Sequence, residues 1–284
     1  MQRVMASVTV LLIASTASAQ SLEIAGGIAA PLAQPGDLTY RTRFDSTYGF
    51  PQGVGGEGGQ TFTCSLSARP GMWASVAWFP APRVGIESRV RFRSAGIEGA
   101  SGPYGVNVTY VSRQPPDFVP REFTAGETRA WPDADGTIRH VSFDILVAGR
   151  LGDPRRVQLR PSVGLAIVGV SGDLQPIGLT TYRLGGHAVL FPNDHRVGVE
   201  FERTWTAGLA GGLEVYRALS PRVGVAVSGR LALPGQIQAP ARVTSVEGDI
   251  GELTPGEAQQ ALRPPPLTFR PWCLEVLGGL RVRL

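Results

Sequence analysis

Between Arg83 and Arg93 the chain reads RVGIESRVRFR: Val84, Ile86, Val90 and Phe92 fall on one side of an extended backbone. Gly85, Glu87, Arg89, Arg91 and Arg93 fall on the other. Successive strand side chains point to opposite faces, so this pattern reads as a strand with one apolar and one charged face. The same opening, a proline and an arginine followed by alternation, returns in DPRRVQLRPSVG from Asp153 and in SPRVGVAVSGR from Ser220. Proline presets a turn and cannot sit inside a central ladder, so each copy marks a chain leaving a tight turn.

A search for this period finds eight candidate strands: Leu22–Leu32, Phe62–Phe79, Arg83–Ile97, Arg139–Leu151, Arg155–Val170, Arg196–Tyr216, Arg222–Leu233 and Trp272–Leu284. In the last, Trp272, Leu274, Val276, Leu280, Val282 and Leu284 share one face, and Cys273, Glu275, Arg281 and Arg283 the other. Val141, Phe143, Ile145 and Val147 likewise oppose Ser142, Asp144 and Arg150, and Val197, Val199, Phe201, Trp205 and Leu209 oppose Glu200, Glu202, Thr204 and Thr206.

Short and long connections alternate. Pro80-Ala81-Pro82, Gly152-Asp153-Pro154 and the segment Arg217 to Pro221 are tight, whereas the other four connections are long and rich in Gly, Pro, Asp, Ser and Thr. An even-stranded up-and-down barrel with both termini at one rim produces that order. A propeller or solenoid repeat would not. Segments such as Val106–Ser112 or Leu179–Val189 would raise the count from eight strands to ten.

The first twenty residues, MQRVMASVTVLLIASTASAQ, have a basic start, an apolar run and Ala17-Ser18-Ala19, the pattern of a secretory signal cleaved after Ala19. Residues 1–19 are thus expected to be a signal peptide and 20–284 one domain. The arginines are spread along a chain without lysine, so no nucleic-acid partner is expected.

Alternation alone does not say which face is wet. The polar face carries many small residues, including Gly85, Gly164, Gly198, Gly208, Ala210, Gly212, Gly224 and Ala226, as a narrow lumen requires. Trp78, Phe79 and Tyr216 sit beside short turns, and Phe92, Trp205 and Trp272 nearer the long connections, the places of two aromatic girdles around a lipid-facing band. The polar face then forms a lumen charge network: Glu23, Glu87, Arg89, Arg91, Asp144, Arg150, Arg160, Glu200, Glu202, Arg230, Glu275, Arg281 and Arg283, with Arg69 and Arg93. Across the seam between first and last strands, Glu23 is expected to pair with Arg281 and Arg283.

These features resemble the small outer-membrane β-barrel proteins of the OmpA/OmpX type. The resemblance implies an eight-stranded antiparallel up-and-down transmembrane β-barrel with short periplasmic turns and long extracellular loops. It implies a monomer in bacterial outer-membrane lipids, inserted by the barrel-assembly machinery. The family typically ends on an aromatic residue, whereas this chain ends Arg283-Leu284.

No catalytic, metal or cofactor motif emerges. His187, Asp194 and His195 match no compact ligand spacing, and the glycine run Gly53 to Gly59 lacks the strand and helix of a phosphate loop, so it reads as a flexible loop. Thr254-Pro255-Gly256-Glu257 is a capping box and predicts a short helix to about Leu262. Glu247, Asp249, Glu252 and Glu257 read as a solvated acidic loop. Cys64 and Cys273 both lie near long-connection ends, one on each face, and form a possible disulfide. The reading favoured is a non-enzymatic outer-membrane barrel with a surface-interaction or envelope-structural role, its extracellular partner unknown. A narrow pore, a lipid-modifying enzyme using His140, and a soluble periplasmic barrel are the alternatives.

Overall fold

The structure, a computed structural model, describes residues 21–46, 54–102, 104–113, 120–129, 131–153, 156–184, 190–248 and 253–284. The expected signal peptide lies outside the described residues. In chain order the strands are β1 (Ser21–Ala33), β2 (Leu38–Ser46), β3 (Val54–Ala68), β4 (Gly71–Phe79), β5 (Val84–Ser101), β6 (Tyr104–Arg113), β7 (Pro120–Arg129) and β8 (Ala134–Gly149). They continue with β9 (Leu151–Asp153), β10 (Val157–Leu184), β11 (Leu190–Ala218), β12 (Val223–Pro234), β13 (Ile237–Ala239) and β14 (Ala241–Gly248). Helix α1 (Pro255–Leu262), β15 (Leu267–Phe269) and β16 (Cys273–Arg283) complete the chain.

The pairing is antiparallel throughout. From β4 it runs through β1, β16, β12, β11, β10, β8 and β5, and β5 pairs back with β4. The remaining strands lie off this circuit: β2 and β6 pair with β3, β7 with β6, β14 with β11, and β13 with β15. Val106–Ser112 falls in β6, which pairs with β3 and β7. Tight turns join β4 to β5 and β11 to β12; in the latter, Ser220 Oγ accepts from Arg222 N and Val223 N at 3.3 and 3.0 Å. In the β8–β10 turn, Gly152 holds φ at 91°, where a side chain is strained.

Two places where the sequence reads as one continuous strand contain an extra residue. Ala68 pairs with Ala95 and Met72 with Phe92, so the chain around Arg69-Pro70 has one residue more than its partner and breaks Phe62–Phe79 into β3 and β4. On β11, Thr204 pairs with Val170 but Phe201 with Gly172, again one extra. A one-residue bulge exchanges the two faces of everything beyond it. In β4 the inward residues are Trp73, Ser75, Ala77 and Phe79; in β3 they are Gln60, Phe62 and Cys64.

The molecule therefore has two tiers. In the tier beside the short turns, apolar side chains face outward: Ile24, Ile28, Ile86, Phe143, Ile145, Val147, Leu159, Val163, Leu165, Leu209, Leu213, Val227 and Leu280 are exposed, Ile28 and Val163 at 64%. Beyond the bulges the parity of β3 and β11 reverses, while on β8 the inward row keeps its parity and turns from charged to apolar. A continuous apolar core fills the inside, with Tyr40, Phe44, Phe62, Ile138, Leu174, Ile177, Leu179, Val197, Val199 and Phe201.

The long connections build this second tier. Of the segment read as a flexible glycine loop, Val54 to Gly59 form the start of β3, paired with β2 and β6, and Gly53 lies outside the described residues. Gly58 is bare because the Phe44 ring occupies the place a Cβ would take. Of the candidate segment Leu179–Val189, Leu179 to Leu184 belong to the long β10–β11 hairpin and residues 185–189 lie outside the described residues. Helix α1 forms as the capping box predicts: Glu257 N donates to Thr254 Oγ1 at 3.3 Å, and Thr254 N donates to the Glu257 carboxylate at 2.8 Å. Its Ala258, Ala261 and Leu262 are buried in the apolar core, and Gln259 ties it to β14, accepting from Val243 N at 2.6 Å.

Candidate functional site: a buried ionic interior

The inward face of the first tier is the concentration of chemistry among the described residues. Glu23, on β1, sits at the centre of one cluster. Arg150 Nη2 and Arg160 Nη1 each donate to it at 2.6 Å, and Arg281 and Arg283 approach at 3.5 and 3.4 Å. The seam explains the last two contacts, since Glu23 is the register partner of Arg283 on β16.

Arg281 links outward from there, donating to Glu214 at 2.7 Å and lying 3.5 Å from Glu87, which Arg89 contacts at 3.0 Å. Asp144 and Glu275 form the second cluster. Arg230 holds Asp144 by two bonds of 2.7 Å, and Glu275 receives Arg91 while Arg230 and Arg93 stand at 3.5 and 3.6 Å. Every carboxylate named is 4% exposed or less. A charge buried in this way survives only if paired and hydrogen-bonded.

Aromatic rings support the guanidinium groups. Arg150 lies 3.3 Å from the Phe79 ring centroid, Arg160 4.2 Å from Tyr216 and Arg89 5.4 Å from Trp73. Phe79 and Tyr216 therefore point inward and are not part of an outer girdle, whereas Phe92 and Trp205 are exposed as a girdle requires. Space for Trp73 comes from glycine: a Cβ on Gly279 would meet Trp73 Cζ2 at 2.9 Å.

Further sequence expectations are corrected. Glu200 and Glu202 are exposed and are not lumen charges, because the β11 bulge lies between them and Trp205 and turns Val197, Val199 and Phe201 inward instead. Arg69 is exposed at the β3–β4 break. Cys64 is buried in the apolar core and does not face lipid, for the same reason of parity. Cys64 and Cys273 are free thiols, so no disulfide joins them.

Glu214 was missed by the sequence reading. It has the same parity as Thr204 and Thr206 on β11, so extending that alternation past Leu209 would have found it. His140 is inward and packs edge-on to Phe269 at 6.5 Å, with Arg93 as its register partner on β5. It lines a small, partly open cavity with Arg91, Arg93, Ser142 and Glu275. His187, Asp249 and Glu252 lie outside the described residues.

No family model matches the chain, and no curated protein does. Among solved structures it is similar to the outer membrane protein OprG from Pseudomonas aeruginosa, at 12% identity and a TM-score of 0.46, over 94% of this chain and 97% of that one. It is also similar to the outer membrane protease OmpT from Escherichia coli, at 8% identity and a TM-score of 0.34, over 94% and 98%. The β domain of the Bordetella autotransporter BrkA aligns at 11% identity and a TM-score of 0.16, over 94% and 100%. At these values none of the three bears on what this chain does.

Proposed function

We propose that the chain is a monomeric outer-membrane barrel of eight strands, closed by the β4–β5 pairing, with periplasmic short turns. Its long connections form an extracellular cap. The observation that carries this is the inversion of the first tier, with branched aliphatic side chains outside and guanidinium and carboxylate groups inside. A soluble barrel would pay for such a belt in exposed apolar surface and aggregation. In a bilayer the belt is solvated by lipid, and a closed barrel satisfies every backbone group.

The role supported best is structural or surface-interacting, without catalysis. Solute passage is opposed twice, by the ion-paired side chains that cross the first tier and by the apolar core that fills the second. His140 faces that interior, which favours the non-catalytic reading over a lipid-modifying site built on it. The experiment is membrane fractionation with a gel-shift assay. Release only by detergent, faster migration of the unheated form, and absence of stable steps in planar bilayers are expected. Release by salt alone would overturn the membrane assignment, and steady conductance would overturn the plugged interior.

A further inference from the structure

Among the described residues the buried ionic interior does not balance. Seven arginines, Arg89, Arg91, Arg93, Arg150, Arg160, Arg230 and Arg281, have side chains 8% exposed or less. They face five carboxylates, Glu23, Glu87, Asp144, Glu214 and Glu275, leaving two guanidinium charges in excess. Arg283, at the rim, adds a third. A guanidinium does not shed its proton in a protein, so the excess cannot be removed by titration. Left uncompensated in a poorly hydrated interior, each such charge costs several kcal/mol.

One place in the second cluster has room for compensation. Glu275 is shared among Arg91, Arg93 and Arg230, and Asp144 is already held by Arg230. Beside Glu275 lies a cavity of about 20 Å³ lined in part by Arg91, Arg93, His140, Ser142 and Cys273, where about 10–15 Å³ suffices for one water. Arg91 Nε and Arg93 Nη1 are buried with no acceptor within hydrogen-bond distance, the carboxylates of Asp144 and Glu275 standing off at 3.7 and 3.6 Å.

We propose that this cavity binds a small monatomic anion, chloride in the natural setting, held by Arg91 and Arg93 beside His140 and Ser142. The adjoining Glu275 carboxylate disfavours a second negative charge and sets the affinity in a modest range, since three guanidinium groups already compete for it. The site is too small for phosphate, a sulfonate or an organic acid. The inference depends on the buried charges alone and stands whether or not the barrel lies in a membrane.

The test is crystallisation of the detergent-solubilised protein from bromide, with data collected at the bromine edge. An anomalous peak inside the cavity is expected in the wild type and absent in Arg93→Gln. A wild-type crystal with bromide on its surface and none in the cavity would overturn the proposal. In solution, exchanging a bulky sulfonate for chloride at constant ionic strength is expected to raise the wild-type Tm by about 2–4 °C. That rise should vanish in Arg93→Gln. An equal rise in both proteins would mean that surface screening, and not this cavity, is responsible.

Discussion

Arg230 on β12 and Asp144 on β8 face each other across the interior and are joined by two parallel bonds of 2.7 Å, from Nε and Nη2 to the two carboxylate oxygens. Their Cα positions belong to strands that are not neighbours, so the pair braces opposite walls. Removing one partner leaves the other buried and charged, which typically costs about 3–5 kcal/mol. Asp144→Asn is expected to destabilise by that amount in detergent-phase unfolding. The double variant Asp144→Leu with Arg230→Met should recover much of the loss. A double variant as unstable as the sum of the singles would mean that the two residues act independently.

The belt makes a prediction of opposite sign on the outside. Val163 is the middle of the exposed apolar row on β10 between Leu159 and Ile167, and it pairs with Val147 on β8. An arginine at the bilayer midplane of a barrel costs about 2–4 kcal/mol. Val163→Arg should therefore reduce stability and insertion in vesicles by that order. Stability unchanged from the wild type would indicate that water, not lipid, surrounds this wall.

Much of this arrangement was legible in the alternation. The strands containing Arg83–Arg93 and Trp272–Leu284 face as their spacing requires, because neither contains a bulge within the first tier. What was not legible follows from one extra residue at Arg69-Pro70 and another near Glu202. Period-two reading carries parity forward indefinitely, so it assigned Cys64, Glu200 and Glu202 to the wrong faces. The second tier was invisible for a related reason. Apart from the far ends of β8, β10 and β11, its strands are short, glycine-rich or off the main circuit, and their burial depends on packing against other segments, such as α1 on β14.

Cys64 tests that second tier. Burial pushes its thiol up to about 11, well above the ordinary value, because the thiolate loses its hydration there. The sign follows: the stabilising effect is complete below the ordinary thiol pKa and is lost as pH rises toward 11. Folded protein at pH 8 should resist iodoacetamide at Cys64 and react once unfolded. Between about pH 9 and 11 the wild type should lose on the order of 2 kcal/mol that Cys64→Ala does not lose. Rapid labelling of the folded protein at pH 8 would contradict the burial.

The capping box separates the cap from the barrel energetically. Thr254 accepts from Glu257 N, and its loss leaves that N–H without its partner at a cost of about 1 kcal/mol. Helix α1 is eight residues long and holds to the core through Ala258, Ala261, Leu262 and the Gln259 bonds to β14. A helix this short depends on its cap and its docking more than on intrinsic propensity. Thr254→Ala should therefore speed hydrogen exchange about fivefold in α1 and at Val243. Ala166, deep in the paired β8–β10–β11 wall, should keep its wild-type rate. If Ala166 accelerated equally, the cap and barrel would open as one unit, and the two tiers would not be separable in stability as they are in composition.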